Sequence, residues 1–235
     1  MAVLLLHAFP LDETMWAPQR KALAGFDVVA PRLYGRGRSV DDWADSVLGE
    51  VDGDVTAVGA SMGGYVALAM ARRSPDRVRA LLLAGSRGGP DSPERREVRD
   101  AMIALLREQG VEGYRAAAPF PLPDGLAAEE LIGALELLRD RPDASPGIRQ
   151  FARPFLLVVG RQDELLSIEE AREIAALAAH GRAEVVEGAG HIVSRDTPER
   201  FNELLLDFLV RVGEPRRDGG GAGGPRRPAA RRRAS

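Results

Sequence analysis

Short apolar runs alternate with segments of helical periodicity along most of the chain. The apolar runs are nearly continuous, which is typical of strands covered on both faces of a parallel sheet. They predict six strands, at residues 3–7, 27–31, 55–59, 80–85, 155–160 and 183–187. Apolar residues at helical spacing predict helices at residues 16–23, 40–50, 62–73, 169–180 and 198–212. The alternation predicts an α/β fold, with a mostly parallel sheet of about six strands and helices on both faces.

One long stretch, residues 86–153, interrupts the alternation and contains no convincing strand. Helical patterns at residues 93–109 and 127–139 predict a short helical lid, because an insertion of this length between two strands is usually functional. A proline-rich connector between these helices contains Phe120, which is predicted to face the substrate. The core of the domain is accordingly assigned to residues 1–85 and 154–212.

The last segment, residues 213–235, is rich in glycine, proline and arginine and has almost nothing apolar to bury. It contains seven arginines against two acidic residues, Glu214 and Asp218. Such a segment cannot offset the entropy that ordering would cost, so it is predicted to be disordered. Its charge would suit a nucleic acid or an anionic surface, but a solvated tail is the favoured interpretation and nucleic-acid binding is not predicted.

The amino-acid composition excludes some kinds of functional site. The chain has no cysteine, which excludes disulfides and thiolate metal sites, and only three histidines, which disfavours a histidine-rich metal site. No segment is apolar over the roughly 20 residues that span a bilayer, and the apolar start at residues 3–6 is too short for the core of a signal peptide. We therefore expect a cytoplasmic protein that does not enter a membrane. Its oligomeric state cannot be read from the sequence.

The strongest chemical signal is the sequence GASMGG at residues 59–64, which fits the pattern G-x-S-x-G. A predicted strand ends at Gly59 and a predicted helix follows Ser61, which is the context this motif requires. A serine hydroxyl is a weak nucleophile and must be presented to a base, which a sharp strand-to-helix turn does. The same turn brings the Met62 N–H and the helix N-terminus towards the negative charge that develops in a reaction. Ser61 is the predicted nucleophile.

The base must be a histidine near Ser61. His191 follows the last predicted strand, and in open α/β sheets sites form beyond the carboxyl ends of the strands. His7 also ends a strand and is the rival, although a structural role is the favoured interpretation for it.

The histidine needs a carboxylate to fix its tautomer and stabilise its charged form. Asp163 follows the strand before the one that leads to His191, and the adjacent Glu164 is its rival. The resulting order, serine, aspartate, histidine, is the order of α/β hydrolases.

A loop after the first strand, around the sequence HAFP at residues 7–10, is predicted to supply a second oxyanion donor, the Phe9 N–H. Large apolar side chains near these loops are candidate pocket walls. As substrate-binding residues we predict Trp16, Tyr65, Phe120 and Ile192.

With these motifs, the chain resembles the α/β-hydrolase superfamily, and within it small esterases and lactonases such as 3-oxoadipate enol-lactonases and pimeloyl-carrier-protein methyl ester carboxylesterases. The resemblance covers residues 2–212 and rests on HAFPLDETMW, PRLYGRGRS, GASMGG, GRQDELL and GAGH. It implies a fold that works without cofactor or metal, with Ser61, Asp163 and His191 as catalytic triad and Phe9 and Met62 as oxyanion donors. One departure is Ala8, which stands where a glycine usually follows the histidine.

These observations predict a serine hydrolase that cleaves small carboxylic esters or lactones through an acyl-enzyme. A cofactor-free perhydrolase and a carbon–carbon bond hydrolase would use the same triad and stay open as alternatives. A dehalogenase would need a carboxylate in place of Ser61. A non-catalytic ligand-binding protein on this fold is disfavoured because the triad is intact.

Overall fold

Six parallel strands form one central sheet in the computed structural model, which describes residues 1–118 and 122–213. In chain order the strands are β1 Ala2–Leu6, β2 Val28–Val29, β3 Val55–Ala60, β4 Val78–Ala84, β5 Phe155–Gly160 and β6 Gly181–Val186. Their order across the sheet is β2-β1-β3-β4-β5-β6, and every neighbouring pair is parallel. The predicted α/β sheet of six strands is therefore confirmed. The edge strand β2 has only two residues instead of the predicted five, and the chain soon reaches Pro31, which has no N–H to donate to a ladder.

Helices cover both faces of the sheet. They are α1 Ala17–Ala22, α2 Val40–Gly49, α3 Met62–Arg73, α4 Pro93–Ala117, α5 Ala128–Asp140, α6 Ser145–Gln150, α7 Ile168–Leu177, α8 Val193–Asp196 and α9 Pro198–Arg211, with a short 3-10 helix Glu13–Trp16 before α1. Alternate residues of the strands feed two separate apolar clusters, since successive side chains of a strand point to opposite faces. One cluster packs α2, α3, α7 and the lid helices, and the other packs α1 and α9.

The described residues of the insertion between β4 and β5 form three helices. The first, α4, extends to Ala117 rather than ending near residue 109 as predicted, and it breaks at Gly110, which has φ 65° and ψ −166°. The predicted end of the helix thus marks a kink between two helical segments. The third helix, α6, was not predicted, because six residues carry too little periodicity to reveal it.

Two of the sequence predictions lie outside the described residues. They are the placement of Phe120 in the lid connector and the disorder of the tail beyond Gly213. Among the helices that the structure describes, none combines the length and the apolar composition that a bilayer crossing requires.

Candidate active site

Ser61 lies on the turn between β3 and α3 in a strained backbone conformation. Its φ of 46° makes it the one residue other than glycine with a positive φ in the described part of the chain. Backbone strain of this kind costs about 1–3 kcal/mol and clusters at functional sites. The flanking glycines permit the turn: a Cβ at Gly59 would lie 2.5 Å from the carbonyl oxygen of Gly63, and a Cβ at Gly63 would overlap the carbonyl oxygen of Leu6.

A second serine, Ser86 in the loop after β4, supports this turn. The Ser86 hydroxyl lies 3.0 Å from the carbonyl oxygen of Ser61 and 3.2 Å from that of Ala84, and it is fully buried. The Ser61 N–H donates to the same Ala84 oxygen at 2.8 Å. Gly64 is required opposite Ser86, because a Cβ there would overlap the hydroxyl. Sequence reasoning missed Ser86, since a small polar residue at a strand end carries no distinctive signal.

The structure brings the three predicted catalytic side chains together. His191 Nε2 lies 2.9 Å from Ser61 Oγ, and its Nδ1 lies 3.0 Å from both carboxylate oxygens of Asp163. The Asp163 side chain is fully buried, whereas that of His191 retains 21% exposure. Asp163 also accepts from the N–H groups of Leu165 at 2.8 Å and Leu166 at 3.1 Å. These bonds fix the carboxylate, and through it the imidazole ring.

The other carboxylates near His191 along the chain have different surroundings. Glu164 is exposed. Asp196 accepts the N–H of Gly190 at 2.9 Å, which ties the loop before His191 to α8. Gly85, directly after β4, packs on His191: a Cβ there would lie 2.7 Å from the His191 carbonyl oxygen and 3.1 Å from its Nδ1.

His7, the rival base, lies buried in a structural position. Its Nε2 accepts the Leu33 N–H at 2.9 Å, so the ring proton is assigned to Nδ1, which donates to the Ala8 carbonyl at 3.1 Å. Burial lowers the pKa of His7 from its usual 6.5 to about 4, because desolvation disfavours the charged ring. His7 therefore joins two loops as a neutral side chain.

The pKa of His7 predicts a pH-dependent stability. Below about pH 6.5 the unfolded chain takes up a proton at His7 that the folded protein refuses until about pH 4, so this histidine makes the free energy of unfolding fall as the pH falls through that window. The loss is at most about 1.4 kcal/mol per pH unit. Urea unfolding between pH 7 and pH 4 would measure it. His7→Gln keeps an acceptor but cannot titrate, so its stability should fall less steeply; equal slopes would contradict the assignment.

The two predicted oxyanion donors lie at neighbouring elements. Gly63, at the start of α3, packs against the backbone of Leu6 and His7 at the end of β1, so the loop holding Phe9 lies beside the turn holding Met62. Neither the Phe9 N–H nor the Met62 N–H has an acceptor among the described residues. The backbone at Ala8 does not have a positive φ, so this position does not require a glycine.

Three of the residues predicted to bind substrate lie in the described part of the chain, and their surroundings differ. Trp16 is fully buried, with its ring centroid 6.1 Å from that of Phe201 on α9, and it is not among the residues that line the cleft described below. Tyr65 is mostly covered, by the guanidinium of Arg141 at 4.1 Å from its ring centroid. Ile192 is half-buried beside His191.

An open cleft of about 390 Å³ lies between the loop after β1, the lid and α8. It is lined by Leu11, Asp12, Thr14, Met15, Pro18, Leu122, Pro123 and Arg195. Sequence reasoning did not select these residues, because only the fold brings the three segments together.

A parallel sheet that presents a serine on a strained strand-to-helix turn, with an aspartate and a histidine following two later strands, defines an α/β hydrolase. The model of the Alpha/beta hydrolase family matches residues 3–204, and the chain belongs to this family.

Named relatives include several kinds of hydrolase. The chain is 28% identical over 259 residues to a 2-hydroxymuconate semialdehyde hydrolase of a Pseudomonas species, covering 88% of this chain and 86% of that protein. It is 33% identical to a pimeloyl-[acyl-carrier protein] methyl ester esterase of Aromatoleum aromaticum, over 63% of this chain and 53% of that enzyme.

Solved structures of esterases and lactonases share the fold. A thermophilic esterase from Thermogutta terrifontis matches with a TM-score of 0.80 and 29% identity, over 90% of both chains. An enol-lactonase from Burkholderia xenovorans matches with a TM-score of 0.70 and 24% identity, over 89% of this chain and 91% of that one. The protein is thus an α/β hydrolase with esterases and lactonases among its neighbours.

Proposed function

We propose that this protein hydrolyses small carboxylic esters or lactones through an acyl-enzyme formed on Ser61. The observation that carries the proposal is the unbroken chain of hydrogen bonds from Ser61 Oγ through His191 to the buried carboxylate of Asp163. A nucleophile, a base within hydrogen-bond reach and a group that orients the base are the parts that acyl transfer requires.

In the first half of the reaction, Ser61 Oγ attacks the carbonyl carbon while His191 Nε2 takes the hydroxyl proton. The N–H groups of Phe9 and Met62, which have no acceptor among the described residues, would hold the oxyanion. The tetrahedral intermediate collapses as His191 returns its proton to the leaving alkoxide, and the carbon–oxygen bond to the alcohol breaks. Asp163 stabilises the imidazolium throughout this sequence.

In the second half, water takes the place of the serine hydroxyl. His191 removes a proton from the water as it attacks the acyl carbonyl, and then gives that proton to Ser61 Oγ when the acyl–serine bond breaks. The products are a carboxylic acid and the free enzyme. For a lactone the alcohol remains tethered, and the product is a hydroxy acid.

The short insertion between β4 and β5 predicts a preference for short acyl chains, because a short lid covers little of a bound substrate. A methylene adds about 0.8 kcal/mol only where it is buried. We expect kcat/KM for p-nitrophenyl esters to peak between acetyl and butyryl and to fall for octanoyl and longer chains. A chain-length series beside a panel of lactones measures this, and a steady rise through C12 would contradict it.

A second candidate is hydrolysis of a carbon–carbon bond by the same three residues. It is supported by the relative named 2-hydroxymuconate semialdehyde hydrolase, because a semialdehyde contains no ester linkage. Comparison of kcat/KM for that compound with the best ester distinguishes the two reactions. A value higher by an order of magnitude for the semialdehyde would favour the second candidate.

A further inference from the structure

We propose that Arg95, together with Arg87 and Arg99, forms a subsite that binds a carboxylate carried by the substrate. The inference rests on the proposed function and names the class of ester or lactone that the site takes, one with an anionic group besides the bond that is cleaved. Four features of the lid and its surroundings support it.

The first feature is the position of two arginines on the inner face of α4. Arg95 and Arg99 are half-buried and lie at helical spacing from Ile103 and Leu106, which are buried on the inner side of the lid. The two arginines therefore continue the inner face of α4 in its first turns. Arg95 is the third residue of α4, where the helix dipole disfavours positive charge, so helix stability does not account for an arginine at this position.

The second feature is that arginines near the start of α4 outnumber the carboxylates that they contact. Asp91 is fully buried and shared by two cations: Arg99 Nε lies 3.2 Å from one oxygen, and Arg141 Nη2 lies 2.9 Å from the other. The latter contact is an ion pair without hydrogen-bond geometry. Arg87 pairs with Glu170 at 2.6 Å.

Arg95 has no carboxylate partner among the described residues. Its Nη2 donates to the carbonyl oxygen of Leu165 at 2.8 Å. Burial and the nearby positive charge of Arg87 lower the pKa of Arg95 from its ordinary value. Among these neighbouring side chains, four guanidinium groups, at positions 87, 95, 99 and 141, lie near two carboxylates, Asp91 and Glu170.

The third feature is the short path from Arg95 to the triad. Leu165, whose carbonyl accepts from Arg95, donates its own N–H to Asp163 Oδ1 at 2.8 Å. Arg95 is thus fixed to the same turn that positions the catalytic carboxylate. Arg87 comes two residues after Gly85, which packs on the ring of His191. The cationic group consequently borders the end of the sheet where Ser61 lies.

The fourth feature is the hydrogen-bonding chemistry of the guanidinium group. A guanidinium presents parallel N–H groups that match the two oxygens of a carboxylate, and it remains charged when it is partly desolvated. A substrate carboxylate at this place would supply the missing negative charge. It would also anchor the substrate away from its reacting carbonyl and so orient the bond that Ser61 attacks.

The experiment compares matched anionic and neutral esters. The succinyl, glutaryl and adipyl monoesters of p-nitrophenol are each paired with the ester in which a methyl group replaces the free carboxylate. We expect kcat/KM to favour the anionic member of at least one pair in the native protein. Arg95→Gln should reduce that anionic-to-neutral ratio by about tenfold or more, the loss of one charge-assisted bond. Arg95→Lys should restore part of the ratio.

The chain offers a matched control on the same helix. Arg96 is exposed and pairs with Asp140 at 2.9 Å, so Arg96→Gln removes the same charge from the outer face of α4 and should leave the ratio unchanged. Inhibition of neutral-ester hydrolysis by free glutarate gives a second measurement, and the inhibition constant should rise about tenfold in Arg95→Gln but not in Arg96→Gln. Thermal unfolding verifies that each variant is folded.

The inference is overturned if Arg95→Gln changes neither the ratio nor the inhibition constant, or if Arg96→Gln changes both as much. This failure differs from failure of the proposed function. In the latter case the native protein hydrolyses neither member of any pair, and Ser61 is not labelled by a serine-directed reagent.

Discussion

Ser61→Ala is expected to lower esterase kcat by about a million-fold, the scale seen when a triad enzyme loses its nucleophile. Alanine removes the attacking oxygen and leaves His191 and Asp163 with their mutual hydrogen bonds. The residual rate would come from binding and from the oxyanion donors alone. Steady-state hydrolysis of p-nitrophenyl acetate measures the change, with circular dichroism to verify the fold.

Ser86→Ala is the matched control for this variant. It removes a hydroxyl that lies 3.0 Å from the Ser61 carbonyl but leaves the Ser61 hydroxyl in place. Its loss of rate should be far smaller, and a serine-directed phosphonate should still label Ser61 in stoichiometric amount. Turnover retained in Ser61→Ala, or a label on another residue, would refute the assignment of the nucleophile.

Asp163→Asn is expected to reduce kcat by about 10⁴-fold with little effect on the fold. The asparagine oxygen can still accept the backbone N–H of Leu165, so the turn is preserved. Its amide group can no longer accept the His191 Nδ1 proton as a carboxylate does, and the ring is left in the wrong tautomer with its charged form unsupported. The pH profile of kcat/KM and thermal unfolding, measured together, separate this loss from misfolding.

Asp196→Asn is the comparison variant for Asp163→Asn. Asp196 is closer to His191 in sequence, but its carboxylate accepts the Gly190 N–H, a bond that an asparagine oxygen can also accept. The loss of rate should be far milder than for Asp163→Asn. If Asp196→Asn were the more damaging change, the assignment of the acid would be wrong.

The sequence predicts the strongly patterned parts of this structure well. The bounds of α3 and β5 agree with prediction, because a long periodic or continuous apolar segment and its flanking glycines act locally. Trp16 shows what a local pattern does not supply. Its size and position near the first loop suggested a pocket wall, but which side of the sheet a side chain packs on is decided by tertiary contacts with α9.

Some residues of the candidate site could likewise be predicted from the sequence, and others could not. Ser61, Asp163 and His191 follow strands, and the topology of a parallel sheet brings strand ends together wherever they fall in the chain. Gly85, Ser86 and the arginine group carry no motif, since their importance comes from what lies across from them in space. Only the folded structure shows that Arg95 has a backbone carbonyl as its partner instead of a carboxylate.

The helical insertion connects two strands that are neighbours in the sheet. Strands β4 and β5 pair directly, from Leu81 with Phe155 to Ala84 with Val158, although the whole insertion separates them in the chain. The cost of closing such a connection grows only slowly with its length. Mutation can therefore lengthen, shorten or change the charge of this one segment during evolution, while Ser61, Asp163 and His191 keep their places after β3, β5 and β6.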